Sequence, residues 1–141
     1  MMRRLGHVTD TPAPCPCGGY PTGAAFADCC EPALTLQTWP PTAQQLMRSR
    51  YTAHVHGDAD HLFRTWHPAT RPAETAPEPG NTWTGLTVEA VTDGSVQDDN
   101  GVVEYTAYFV GVDGEPDELH EVARFTRRAR RWMYVGPADI V

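Results

Sequence analysis

Four cysteines fall within a short N-terminal stretch, as Cys15-Pro16-Cys17-Gly18 and the adjacent pair Cys29-Cys30. Four sulfur donors so close in sequence suit a tetrahedral thiophilic ion. Structural zinc takes four ligands and holds its thiolates deprotonated. A Cys-Pro-Cys-Gly knuckle brings two sulfurs toward one ion, with Gly18 easing the turn behind them. Phe26, three and four residues ahead of the pair, is placed to pack over the site. The loop Gly18–Asp28 is too short and Gly-rich to form its own core, so a metal is expected to organise it. Four sulfurs leave no open coordination position, which makes the expected zinc structural and not catalytic. The alternatives are a free-thiol or disulfide cluster and iron–sulfur ligation. Adjacent cysteines rarely bond each other, and the usual iron–sulfur spacings differ.

A second set of chemistry-bearing residues interrupts otherwise apolar patterns: Arg50, His54, His67, His120, Glu121 and Arg124. Together with Trp66 and Trp132 they are the expected lining of a ligand pocket. Its walls are expected from Trp66, Tyr105, Phe109 and Trp132, and its polar end from Arg50, His67 and Arg124. Glu121 shares an apolar strand face with Ala123 and Phe125, which predicts an ion pair with Arg50. A buried Arg–carboxylate network that only fixes helix against sheet is the plainer alternative. Histidine as a residue type titrates near neutrality, which makes His67 the candidate acid or base if the chain is an enzyme of the hydrolase or isomerase kind. A histidine whose ring bonds the backbone at a helix end is the competing reading. No Gly-rich phosphate loop or nucleophile elbow is present. No catalytic residue is therefore assigned, and the expected role is binding: a small anionic or amphipathic ligand in the pocket, or a protein partner through Tyr20 and Phe26 of the cysteine segment.

The elements that must position these groups are legible from periodicity. Thr42 follows Pro40-Pro41 and, with Gln45, makes a capping box for a helix. Its apolar stripe is Ala43, Leu46, Met47, Tyr51 and, at its margin, Val55, with Arg50 and His54 inside the stripe. Gly57 ends that helix, and Asp58 or Asp60 caps a second one. The second helix carries Ala59, Leu62, Phe63 and Trp66 on one side, and Pro68 stops it. Residues 69–82 read as an extended linker. Beyond it the period changes to two, giving strands over 83–92, 102–112, 119–127 and 131–135. The second strand carries apolar groups on both faces and is expected to be central. Helices followed by an antiparallel meander is an α+β order, with a curved sheet wrapped onto the helices and a pocket between them.

The chain has 141 residues, a formal charge of −7, and 11 basic residues that are all arginine. An acidic chain without a basic stripe is a poor candidate for nucleic-acid or anionic-membrane binding. No stretch reaches the length of a membrane span. The N-terminus has arginines without an apolar run behind them, so it does not read as a secretory signal. Cysteines without an export signal point to a reducing, cytoplasmic setting. The expected division is a leader and zinc motif over 1–31, with residues 1–14 a flexible leader, and an α+β domain over 32–141.

The cysteine segment, CPCG followed by F-x-x-CC, resembles the SEC-C motif, a zinc-binding module also found at the end of the SecA translocation ATPase. In combination with LMRSRY (Leu46–Tyr51), TWHP (Thr65–Pro68), W-x-GLTV (Trp83–Val88), LHE-x-x-RF (Leu119–Phe125) and RW-x-YVG (Arg131–Gly136), the chain resembles the YchJ family. The matches run from Cys15 to Gly136. That resemblance implies a nuclear-transport-factor-2-like α+β domain behind a four-cysteine zinc motif, in a family whose biochemical function is unassigned. The segment between Cys17 and Cys29 is longer than the compact SEC-C pattern, with Pro21 and Gly23 in the added loop.

Overall fold

The computed structural model describes residues 12–138; most of the expected leader lies outside the described residues. A short 3-10 turn, Phe26–Asp28, precedes helix α1 (Glu31–Leu34), followed by α2 (Ala43–His56) and α3 (Ala59–Thr65). Four strands follow: β1 (Thr82–Asp93), β2 (Asn100–Val110), β3 (Pro116–Arg128) and β4 (Arg131–Pro137). They form one antiparallel meander in chain order, so β2 and β3 are internal and β1 and β4 are edges. The curved sheet packs one face on the helices. Helix α1 is too short to show a period in the sequence; Pro32 in its first turn opens it.

The caps follow the sequence. The Thr42 hydroxyl accepts from the Gln45 amide at 3.2 Å and donates to the Gln45 side chain at 2.8 Å. Gly57 ends α2 in the left-handed region, and the Asp58 carboxylate accepts the His61 amide to open α3. The buried side of α2 is much wider than the apolar stripe. Besides Ala43, Leu46, Met47 and Tyr51, the chain buries Ser49, Arg50, Thr52 and Ala53. The reason is that sheet, α3 and cysteine segment cover different sides of this one helix. On α3 the buried residues are His61, Leu62 and Thr65, whereas Phe63 is exposed and lies under the Arg71 guanidinium at 3.8 Å.

Close contacts seat α2 on the sheet. The Ala43 amide donates to the Gly94 carbonyl at 3.0 Å, and a Cβ on Gly94 would come 2.8 Å from that of Ala43. Only glycine tolerates that approach together with the positive φ found there. The Pro40-Pro41 connector is held by a reciprocal pair of indole bonds: Trp39 Nε1 donates to the Trp132 carbonyl and Trp132 Nε1 to the Pro41 carbonyl. Trp132 thus lies in the core beside Leu46, Met47 and Phe125.

Two bulges interrupt the β1–β2 register, at Thr84 and Glu89. The second explains why Leu86 and Val88 pack inward while Ala90, in line with them by simple alternation, is exposed. Among the described residues no helix is long and apolar enough to cross a membrane.

Candidate metal centre and ligand cavity

The Cys15-Pro16-Cys17 knuckle is folded by a bond from the Gly18 amide to the Cys15 carbonyl. Gly19 presses against the returning loop, where any Cβ would lie 2.3 Å from the Ala24 nitrogen. The 3-10 turn then presents Cys29 and Cys30. The four sulfurs lie within 4.8 Å of one another, with Cys17 and Cys29 at 3.6 Å and Cys29 and Cys30 at 4.0 Å. Metal–sulfur bonds of about 2.3 Å in a tetrahedron require sulfur separations of about 3.8 Å. The donor set and its spacing therefore fit a thiophilic metal ion.

The surroundings are those of thiolates. The Gly19 amide donates to Cys17 Sγ at 3.3 Å and the Thr52 hydroxyl to Cys30 Sγ at 3.2 Å. From α2, Arg48 Nη1 donates to the Cys17 carbonyl at 2.8 Å and reaches Cys17 Sγ at 3.7 Å. As thiols, Cys15, Cys29 and Cys30 would be displaced from the ordinary thiol range by their neighbours and by burial. Bonds from Cys17 and Cys30 hold Cys15 far down, bonds to Cys15 and Cys17 push Cys30 up, and burial pushes Cys29 up to about 12. A bound dication is what stabilises several thiolates at once. Phe26 covers the cluster and meets His56 edge-on at 5.2 Å.

A cavity of about 190 Å³ opens between α2 and the inner face of the sheet. Arg50, His54, Trp66 and Glu121 of the expected set line it. So do Tyr51, Trp83 and Tyr134, which the sequence pattern alone does not place there. Arg50 is 8% exposed. Its Nη1 donates to the Leu62 carbonyl at 3.0 Å and the Thr65 hydroxyl at 2.7 Å, and its guanidinium lies 4.4 Å from the Tyr134 ring and 5.0 Å from the Trp66 ring. Burial lowers it to about 10, so it stays cationic at neutral pH. Glu121 accepts the Tyr105 hydroxyl on Oε1 at 2.6 Å and the Tyr134 hydroxyl on Oε2 at 2.5 Å. Burial, then Glu121, push both tyrosines up, so they remain donors. His54 is lowered to about 4 by burial and by Arg50 and is neutral.

The expected Arg50–Glu121 ion pair is not formed; the Tyr134 ring and hydroxyl stand between them. Four other residues of the expected pocket lie elsewhere. Trp132 is in the core. His67 and Arg124 line a separate, more open groove, where His67 Nδ1 accepts the Ala69 amide at 3.0 Å. His120 is on the outer sheet face, donating to Glu104 at 2.7 Å with Glu89 at 4.0 Å, while Thr106 bonds Glu89. Alternation along β3 separates His120 and Arg124 from Glu121. The face of the sheet that carries the cavity decides which side counts. Phe109 packs on Trp83 at 5.0 Å and is not part of the lining.

One further pair has the composition of a nucleophile and its base. His61 Nε2 lies 2.9 Å from Ser49 Oγ, both buried. Arg64 Nη2 donates to His61 Nδ1 at 3.2 Å, which assigns the proton to Nε2. His61 therefore donates to Ser49, and Ser49 donates to the Leu46 carbonyl at 2.7 Å. The pair ties α2 to α3 and cannot withdraw a proton from the serine in this state.

The fold and this site define a class: a nuclear-transport-factor-2-like α+β domain with a metal-compatible cysteine cluster at its N-terminal end. The chain belongs to the YchJ family, matching over residues 42–137 the domain described as "YchJ, middle NTF2-like domain". It is 40% identical over 126 residues to a UPF0225 protein of Deinococcus radiodurans, covering 89% of each chain. To a UPF0225 protein of Streptomyces coelicolor it is 43% identical over 121 residues, covering 86% of this chain and 91% of the other. The solution structure of a SEC-C motif containing protein from Rhodopseudomonas palustris superposes with a TM-score of 0.77 at 25% identity, covering 92% of this chain and all of that one. A crystal structure of a SEC-C motif containing protein from Psychrobacter arcticus shares the fold, with a TM-score of 0.67 at 24% identity over 94% of this chain and 84% of that one.

Proposed function

We propose that this chain is a cytoplasmic, zinc-stabilised binding module that holds a small ligand in the cavity between α2 and the sheet. The observation that carries this reading is the division of labour on α2. Arg48 and Thr52 face a closed four-sulfur set, while Arg50 and His54 face an aromatic cavity. Thiolates at these separations suit zinc, whose coordination they would complete, so the metal would hold structure and supply no open position. Inside the cavity, Glu121 is engaged by two tyrosine hydroxyls and His54 is neutral, an arrangement suited to recognition. The ligand classes expected from the sequence, small anionic or amphipathic molecules, are compatible with a concave, largely aromatic lining that carries a few convergent polar groups. Tyr20, exposed on the cysteine segment, offers a contact for a protein partner.

The test has two arms. Elemental analysis of protein purified without added metal is expected to give one zinc per chain; metal-free protein with four titratable thiols and an ordered cysteine segment would refute the zinc assignment. A small-molecule screen read by amide chemical shifts is expected to find ligands that perturb Arg50, His54 and Trp66. Turnover abolished by Glu121→Gln or His67→Ala in folded protein would replace the binding role with an enzymatic one.

A further inference from the structure

The cavity's unsatisfied hydrogen-bonding groups and its charge balance restrict what it can hold. Its walls are aromatic, from Tyr51, Trp66, Trp83, Tyr105, Phe125 and Tyr134. Several are fixed by ring contacts, Trp66 against Tyr134 at 4.9 Å and Tyr51 against Trp83 at 6.1 Å. Such walls favour a flat apolar body that contacts ring faces and edges.

The lining retains guanidinium donors that lack acceptors. Of the Arg50 guanidinium nitrogens, only Nη1 donates to a protein acceptor among the described residues. Trp66 Nε1 and His54 Nδ1 also lack a partner among those residues, but the packing around them closes both off from the cavity. The two tyrosine hydroxyls, by contrast, are committed to Glu121. An occupant that completes the site brings an acceptor, because a buried polar group left without a partner is costly.

Charge decides which acceptor. Arg50 and Glu121 face the same cavity and their formal charges cancel. A carboxylate or phosphate would leave one negative charge in excess beside Glu121, in a place shielded from water, where like charges repel strongly. A carbonyl oxygen offers the same acceptor with no charge. We infer that the cavity takes an uncharged, flat aromatic carbonyl compound, such as an aryl amide, lactam or ketone, with its oxygen toward Arg50. This rests on the reading of the cavity as a ligand site and selects the uncharged amphipathic ligand over the anionic one.

Benzamide and benzoate, equal in shape and different in charge, test it on the full-length zinc-loaded protein by ¹⁵N-resolved titration at pH 7. The Trp66 indole resonance is the reporter, identified by its loss in Trp66→Phe. Benzamide is expected to shift that resonance and to bind about tenfold more tightly than benzoate, and Arg50→Met to weaken benzamide about fivefold. Glu121→Gln is expected to strengthen benzoate about tenfold by removing the opposing charge. Benzoate binding as tightly as benzamide, or indifferent to Glu121→Gln, overturns the uncharged assignment and leaves the cavity as an anion site. Benzamide binding undiminished in folded Arg50→Met overturns the placement of the oxygen. If neither compound moves any cavity resonance at millimolar concentration, this inference and the ligand-site reading both fall.

Discussion

Arg50 lies over the face of Tyr134, its guanidinium carbon 4.4 Å from the ring centroid, and the hydroxyl of that ring donates to Glu121 at 2.5 Å. Charge on helix α2 and charge on strand β3 thus meet through an aromatic side chain of β4. Cation–π contact supplies about 0.5–2 kcal/mol when partly desolvated, without the geometry of a direct ion pair.

Tyr134→Phe keeps the ring under Arg50 and removes one of the two donors to Glu121. The expected cost is about 1–3 kcal/mol in denaturant unfolding. A double-mutant cycle of Arg50→Met with Glu121→Gln is expected to show coupling well below the about 3–5 kcal/mol lost on breaking a direct buried pair. Coupling of that full size would mean that the two side chains touch in solution.

Acid should destabilise the domain before its carboxylates titrate. His54 and His61 are each lowered from 6.5 to about 4, in both cases mainly by burial, with Arg50 the next contributor for His54 and Arg64 for His61. Between these values the unfolded chain binds more protons than the native one, so stability rises with pH across the window and falls on acidification through it. At pH 5 the loss is about 2 kcal/mol per histidine relative to pH 7 or above. Thermal or denaturant unfolding of His61→Gln should show a shallower pH slope than the wild type. An identical slope would exclude His61 as a contributor.

Metal affinity should depend on helix α2 as well as on the cysteines. Arg48→Met and Thr52→Val remove donors to sulfur. Each is expected to weaken zinc about 10–100-fold in competition with a chromophoric chelator. Cys15, Cys17 and Cys30 share an apolar cluster with Tyr51 and Ala107, so the cysteine segment is not a detachable appendage. Chelation should therefore lower the main unfolding transition and should do more than loosen residues 12–32. A main transition that ignores chelator would show that the shared cluster contributes little.

The β3–β4 hairpin closes on Ala129 and Arg130, both at positive φ, between Arg128 and Arg131. A two-residue turn of that hand favours Asn-Gly. Ala129→Asn with Arg130→Gly is expected to stabilise the domain by about 1–2 kcal/mol. No gain in the denaturation midpoint would mean that the turn relaxes out of that conformation.

The parts of this fold that follow local rules are legible in the sequence. Thr42, Gly57 and Asp58 cap where their chemistry says they should, and the cysteines converge as their spacing suggests. Period-two alternation on β3 correctly sets Glu121 apart from His120 and Arg124. What alternation cannot supply is which sheet face the helices cover, so a pattern-based grouping joins His120 and Arg124 to residues on the other side. Bulges are a second gap: the extra residue at Glu89 resets the inward count and exposes Ala90. Trp132 and Trp83 look equivalent as aromatic strand residues. Only the tertiary register puts the first under the Pro41 connector and the second on the cavity wall. The width of burial on α2 is hidden because Ser49, Thr52 and Arg50 are polar. Their partners come from α3 and from the cysteine segment, far away in sequence.

Helix α2 also joins the cysteine cluster to the cavity. Arg48 and Thr52, which reach the sulfurs, are one turn apart, and Arg50 and His54, which reach the cavity, form a second pair offset by two residues. Two residues turn the helix by about 200°, so the pairs stand almost back to back. Any roll of α2 about its axis displaces them in opposite directions. The cysteine cluster and the cavity cannot be adjusted one at a time by moving this helix.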